Sequence, residues 1–151
     1  SSAFQVISPG FAAEPSRITI DEMLAFFKKY AKQEGLEVDD SLFWRMHCDA
    51  PADAVLPDAI RSSKVPTGIY SFSDSFFASR ILPVIRDMGM NPLEDFAVLG
   101  NFNTEQSEML GFDTFDHRVE EIAEIGVRML TGEITEKKIL LPPQLIHRSN
   151  K

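Results

Sequence analysis

The sequence lacks the motifs by which most enzyme sites are recognised. It contains no GxGxxG or GxxxxGK[ST] phosphate loop, no GxSxG elbow, no HExxH zinc motif and no CxxC pair. Its one cysteine, Cys48, excludes an internal disulfide and fits a reducing compartment, so we expect a cytoplasmic protein. His47 precedes Cys48, but neighbours on a strand point to opposite faces, which excludes a simple Cys–His pair. We therefore expect no catalytic residue.

Basic residues are also scarce. The chain has 15 Lys and Arg against 23 Asp and Glu, and its formal net charge is −8. Because phosphate backbones are held by basic faces, this argues against nucleic-acid binding by these residues themselves. No apolar run approaches the roughly 20 residues of a membrane span, and no signal peptide is apparent, so we expect no membrane partner.

Metal ligands are few and poorly spaced. Beyond Cys48, the three histidines are His47, His117 and His147, which lie far apart without ligand-like spacing. We expect neither a metal site nor a cofactor. The 151 residues, 44% of them hydrophobic, are enough for one globular domain with a real core. The chain starts at Ser1 and runs at once into an apolar segment, so we expect it to be a piece of a longer protein.

Short apolar segments alternate with amphipathic ones at intervals of roughly 30 residues. This rhythm predicts an α/β fold, an open parallel sheet with helices on both faces. The predicted strands lie near residues 3–8, 42–47, 67–72 and 95–100.

The helices carry their own signals. Residues 11–18 are predicted to be a loop, followed by a helix that is capped by Thr19 and Glu22 and ends at Gly35. Pro51 fits the first turn of a second helix over about 51–63, which Pro57 would kink or shorten. A third helix is predicted over 74–88, with a kink near Pro83.

The tail changes character after residue 111. A strand-like start leads into a helix over about 117–131, and two extended pieces follow around Pro142-Pro143. The helix has an apolar stripe: Val119, Ile122, Ala123, Gly126, Met129 and Leu130.

Three segments, in this order, resemble lactose-repressor-type (LacI/GalR) transcriptional regulators. They are "VPTGIYSFSDSFFASRILPVIRDMGMNPLEDFAVLGNFNTE", "TFDHRVEEIAEIGVRMLTGE" and "ILLPPQLIHR". The resemblance implies a periplasmic-binding-protein-like type I fold, in which two subdomains joined by three crossovers enclose an effector. It implies that residues 1–111 form the C-terminal effector-binding subdomain. Residues 112–136 would be a crossover strand and helix belonging to a missing N-terminal subdomain, and 137–151 a return strand and tail.

The resemblance also implies partners. It predicts a small-molecule effector, sugar-like or nucleoside-like, in the cleft. Operator DNA would be bound through a headpiece, of LacI or GntR type, that is absent from this chain. A homodimer is expected, since the family dimerises through its second subdomain around the helix at 74–88. We also expect the helix at 117–131 to be buried against either its own or the partner's subdomain.

Carried over residue by residue, the family's effector-binding positions depart from its usual pattern. The corner Asn falls at Ser73, with the following Asp74 kept. The cleft Arg falls at Met23 and the effector-binding Asp at Phe102. The predicted effector-binding residues are Met23, His47 (the stacking position), Ser73, Asp74, Phe102 and Asn103, and Arg17 is a further polar candidate. Because the strongest polar anchors are replaced, we expect a less polar effector, other anchors or no binding.

Each assignment has a structural alternative. Ser73 could cap the following helix, Asp74 could serve the helix dipole, and Met23 and Phe102 could pack in the core. Two other functions remain open, a periplasmic sugar-binding protein of an ABC transporter and an unrelated flavodoxin-like enzyme. The closing "LLPPQLIHR" favours the regulator.

Overall fold

The computed structural model describes residues 4–10, 14–36, 40, 43–47 and 68–149. Six strands form one sheet in the order β2-β1-β3-β4-β5-β6. Their bounds are Phe4–Gly10 (β1), Phe43–His47 (β2), Gly68–Ser71 (β3), Ala97–Asn101 (β4), Asp113–Asp116 (β5) and Gln144–Ile146 (β6). The first five strands of that order pair in parallel, and β6 runs antiparallel to β5. The predicted parallel sheet is confirmed, and each predicted strand overlaps an observed one.

The first helix begins earlier than its capping signal predicted. Helix α1 spans Glu14–Gln33, so the loop predicted over 11–18 is largely helical. Pro15 suits a first helical turn, because its fixed φ is helical and its missing N–H would have no partner there. A Thr followed by a Glu also occurs inside helices, so that pattern alone was misleading. The predicted end is confirmed, since Gly35 has a φ of +72°.

The second helical region is irregular around its proline. It consists of α2 (Asp74–Phe76), a π-helical stretch (Phe77–Ile81) and α3 (Leu82–Asp87). Pro83 has no N–H to donate to the preceding turn, and its ring crowds the carbonyl four residues earlier. The wider π turn, in which the Leu82 N–H bonds to the Phe77 carbonyl, accommodates that proline. The kink expected there therefore takes the form of a π-helical turn.

Three further helices complete the described part of the chain. They are α4 (Pro92–Asp95), α5 (Glu105–Leu110) and α6 (Val119–Leu130). Helix α6 and strand β5 agree with the strand and helix predicted after residue 111. Cys48 and the helix predicted over 51–63 lie outside the described residues.

Neighbouring residues of β3 divide the core between the two faces of the sheet. Ile69 belongs to a cluster with the second helical region, whereas Tyr70 packs on the α1 side. The buried members of the first cluster are Ile69, Phe77, Ile81, Leu82, Ile85, Phe96, Val98 and Phe112. On the α1 side, Tyr70 stacks on Phe27, and burial raises its pKa to about 12. Helices therefore cover both faces, as the sequence predicted.

Helix α6 is the exception to this packing. None of its residues is buried, and Leu130 is 90% exposed. Among the described residues, no helix combines the length and the apolar character needed to cross a bilayer. The same residues contain no group of three or more side chains placed to hold a metal ion.

Candidate functional site

Parallel strands bring their carboxyl ends to one edge of the sheet, which is where open α/β sheets bind ligands. In this chain that edge is formed after β3, β4 and β5. We call residues 71–74, 101–104 and 116–118 the carboxyl edge. Four of the six predicted site residues lie there: Ser73, Asp74, Phe102 and Asn103.

Asp74 holds the three strand ends together. Its side chain is fully buried and accepts hydrogen bonds from the Asn101 N–H (2.5 Å) and the Thr104 N–H (2.9 Å). The hydroxyl of Thr114 donates to the same carboxylate, 2.9 Å from Oδ1. These donors come from the end of β4, the loop after it, and β5. The geometry therefore makes Asp74 a structural carboxylate beneath the edge, with its oxygens already occupied by protein donors.

Gly100 makes this arrangement possible. A Cβ built on Gly100 would lie 1.9 Å from Asp74 Oδ1 and 2.8 Å from Phe112 Cε2. No side chain larger than hydrogen fits between the strand and the buried carboxylate. The close approach of backbone and side chain therefore requires glycine at this position.

The corner after β4 has an unusual backbone. Phe102 and Asn103 have φ values of 88° and 48°, in the left-handed region that residues other than glycine seldom adopt. The Phe102 N–H donates to the Phe115 carbonyl (2.8 Å), and the Asn103 N–H donates to Thr114 Oγ1 (3.3 Å). Such strain persists only where surrounding contacts enforce it, and it is concentrated at functional sites.

This backbone turns the Phe102 ring outward, beside a histidine. The Phe102 side chain is 53% exposed, and its ring centroid lies 5.0 Å from that of His117 at a tilt of 34°. His117 Nε2 lies 2.6 Å from the side-chain oxygen of Asn101. With that oxygen as acceptor, Nε2 carries the hydrogen and Nδ1 of the neutral ring is an acceptor. The edge thus presents a two-ring surface with one directed polar atom.

Asn103 belongs to a second polar network. Its Nδ2 donates to Asp116 Oδ2 (3.1 Å), and its Oδ1 accepts from Arg148 Nη2 (2.6 Å). The other oxygen of Asp116 accepts from the Arg118 N–H (2.6 Å). Both ends of the Asn103 amide are therefore engaged within the protein.

The remaining predicted residues have different surroundings. Ser73 caps α2, since its hydroxyl accepts from the Phe76 N–H (3.3 Å). Met23 is partly buried against the Leu24–Phe72 cluster. His47 ends β2 and Arg17 lies in α1, but their side chains are outside the described residues.

The sequence did not single out His117, Asn101 or Asp116 for this edge. His117 was set aside because no histidine lies at ligand spacing from it, yet its partner Asn101 is 16 residues away on the neighbouring strand. The signal that could have found them was the end of each predicted strand. A strand was expected at the start of the tail, but its pairing beside β4 was not.

Two apolar grooves lie away from this edge. One, of about 360 Å³, opens on the α1 side of the sheet and is lined mainly by Phe27, Tyr70, Leu99 and Leu145. The other, of about 440 Å³, runs between α6 and residues 137–141.

Solved structures resemble the whole chain. The cellobiose complex of the transcriptional regulator CelR matches with a TM-score of 0.70 and 20% identity, over 98% of this chain and 46% of that one. A probable transcription regulator from Thermus thermophilus matches at 0.73 and 20%, over 99% and 59%. A sugar-binding LacI-family regulator from Escherichia coli, complexed with phosphate, matches at 0.76 and 16%, over 99% and 55%.

No protein-family model matches the sequence, and no curated protein is significantly similar to it. The chain spans about half the length of the solved structures it matches. At these identities the likeness concerns the fold. The predicted fold class is confirmed: this chain has the α/β fold found in LacI-family transcriptional regulators.

Proposed function

We propose that the chain is a ligand-sensing part of a bacterial LacI/GalR-type transcriptional regulator. The observation that carries the proposal is the pair of rings formed by the exposed Phe102 and the partly buried His117 at the carboxyl edge of a sheet with the regulator fold. Neither the ring pair nor the strained corner beneath it is needed to fill the core, since Phe102 is more than half exposed. A binding role explains both features.

The proposed effector has a flat, partly apolar face and at least one hydroxyl or N–H group. Aromatic rings bind such faces in sugars and nucleosides, and His117 Nδ1 would accept one hydrogen bond. Among the structural neighbours, CelR is in complex with cellobiose and a lac repressor is bound to ONPG. For this chain we propose an effector of the same kind, sugar-like or nucleoside-like.

The proposal divides the predicted site residues by role. Phe102 and His117 would contact the effector, and the buried Asn101 would hold the His117 ring in place. Asp74, Ser73 and Asn103 would hold the edge in shape, because their polar groups bond within the protein. The proposal also includes direct contacts of Met23 and His47 with the effector. These two contacts rest on the resemblance alone.

The wider setting of the chain follows from the same proposal. Of the predicted crossover segment 112–136, strand β5 pairs with β4 in this sheet, so the proposal assigns only α6 and the residues after it to a second subdomain that closes the cleft. DNA would be bound by a headpiece outside this chain, and the regulator would act as a cytoplasmic homodimer without enzymatic activity. The alternative, a periplasmic sugar-binding protein, has less support because the reported neighbours are regulators.

Titration of the ¹⁵N-labelled chain with glucose, ribose, cellobiose, adenine and adenosine tests the site. With half of the cleft absent, we expect weak, millimolar binding by one class of compound, with shifts confined to residues 101–104 and 116–118. Phe102→Ala should abolish those shifts. Phe26→Ala is the matched control, because Phe26 is an equally exposed aromatic residue (56%) on α1.

Besides the absence of any binding, two results would contradict the proposal. One is chemical-shift changes that map elsewhere or persist in F102A. The other is tight binding of an ordinary sugar, which would contradict the loss of polar anchors at Met23 and Phe102.

A further inference from the structure

The last described residues of the chain are tied to the carboxyl edge by one arginine. Arg148 Nη2 donates to Asn103 Oδ1 at 2.6 Å, across 45 residues of sequence. Its Nη1 lies 3.5 Å from the Oγ of Ser107, a buried residue of α5. The guanidinium therefore spans from the segment after β6 to the corner after β4.

Asp113 fixes the backbone from which Arg148 extends. Asp113 Oδ1 accepts from the N–H groups of Arg148 and Ser149, each at 2.8 Å. Burial raises the pKa of the Asp113 carboxyl, but these bonds and that of His147 outweigh it and hold the pKa below its ordinary value. The carboxylate is thus charged at neutral pH, and the arginine starts from an anchored position.

Asn103 connects Arg148 to residues next to both rings of the pair. It follows Phe102 directly, and its Nδ2 bonds to Asp116, whose second oxygen holds the Arg118 N–H. Asp116 and Arg118 are the two neighbours of His117. The residues that flank both rings therefore belong to a network that ends at Arg148.

From these contacts we propose that Arg148 is a positioning residue, which locks the strained Phe102–Asn103 corner and so sets the Phe102–His117 geometry. The charged donor on Asn103 Oδ1 stabilises a backbone conformation that Phe102 would otherwise leave. Displacement of residues 147–149, the segment after β6, would release the corner, so this segment can regulate the site. The positioning role stands on the ligand-free structure, and the regulatory role rests on the proposed function.

Amide hydrogen exchange in the ligand-free chain tests the positioning role. The N–H groups of Phe102, Asn103 and Thr104 donate to Phe115, Thr114 and Asp74, so all three report on the corner. Arg148→Gln removes a charged hydrogen bond, and we expect these three amides to exchange about ten-fold faster. The strand amides of Ile69 and Leu99 should keep their rates. Arg148→Lys, which keeps a cationic donor, should retain part of the protection.

His147→Ala is the matched control, because it removes a tail contact to Asp113 but none to Asn103. It should leave the corner amides unchanged. Unchanged corner amides in R148Q, or equal acceleration across the whole sheet, would overturn the positioning role. If a compound of the panel binds, R148Q should weaken it several-fold and H147A should not. If none binds, the proposed function fails while the exchange result still decides the role of Arg148.

Discussion

Asp74 illustrates how a single residue can look like a ligand-binding group in the sequence and be occupied in the structure. It stands at the strand-to-helix corner where a ligand is expected, but its oxygens already accept from two backbone N–H groups and two hydroxyls. Phe102 shows the reverse. A phenylalanine would be expected in the core, but the backbone turns it out to solvent.

Removal of the Asp74 charge should destabilise the chain. Asp74→Asn presents an NH₂ group to donors that need acceptors, and we expect a loss of about 3 kcal/mol in the free energy of unfolding. Urea denaturation measures it. Asp87→Asn, an exposed aspartate of α3, changes the net charge equally and should shift the midpoint little. A D74N midpoint as close to wild type as that of D87N would contradict the structural role.

Asp113 should make stability depend on pH. Its pKa is lower in the folded chain, where burial that raises it is outweighed by bonds to residues 147–149. The stabilisation is therefore present above the unfolded pKa and is lost as the pH falls through the folded pKa. We expect Asp113→Asn to be less stable than wild type at pH 7.

The stabilities of wild type and D113N should converge in acid. Urea midpoints of wild type and D113N, measured at pH 7 and near pH 3, give the comparison. A gap between the two that is constant or widens towards acid would contradict the assigned pKa direction.

At the scale of elements, two glycines differ in whether a side chain would fit at their position, although the sequence does not distinguish them. Gly100 lies in β4 against the Asp74 carboxylate, and Gly126 lies in α6, where a Cβ would meet nothing within 4 Å. Gly100 is buried in β4, whereas α6 has no buried residue. The surroundings of the element, and not its local conformation, decide what each glycine does.

Alanine at these two positions should therefore have opposite effects. Gly100→Ala forces a methyl group into the carboxylate, and we expect a loss of at least about 2 kcal/mol. Gly126→Ala relieves the helix of glycine and should raise stability by up to about 1 kcal/mol. Thermal unfolding of both variants decides it. A stable G100A would mean that β4 and the second helical region can move apart.

At the scale of the whole molecule, the apolar face of α6 is bordered by residues 137–141, but none of its residues is buried in the described chain. The sequence predicted that the helix either folds back onto its own subdomain or packs on a partner. Folding back is wrong, because no α6 residue is buried. Each large apolar side chain left in water forgoes roughly 1.5–3 kcal/mol of burial. Packing against a second copy remains our prediction for the isolated chain.

Light scattering across a dilution series tests this association. We expect a dimer that dissociates on dilution, and Ile122→Glu, within the groove along α6, should shift it to monomer. Val127→Glu is the control on the same helix, since Val127 is 59% exposed and lies outside that groove. A wild-type chain that stays monomeric at high concentration would contradict the prediction.

Much of the fold could be read from local pattern. The alternation of strands and helices, the end of α1 at Gly35 and the disturbance at Pro83 each follow from side-chain chemistry within a few residues. The start of α1 could not be read in this way, because a capping pattern inside a helix looks the same as one at its N-terminus. The β5–β6 pairing did not follow either, since it joins residues about 30 positions apart.

The sequence by itself determined that this protein has a parallel α/β sheet and that the corner at Ser73-Asp74 stands at its carboxyl edge. Only the tertiary structure decided which groups at that edge are free and which are occupied. The hydrogen-bond partners of Asp74, Asn103 and His117 come from other strands, so they cannot be predicted from local periodicity. The strained backbone at Phe102 likewise depends on contacts from β5 and the tail, which exist only after the sheet has formed.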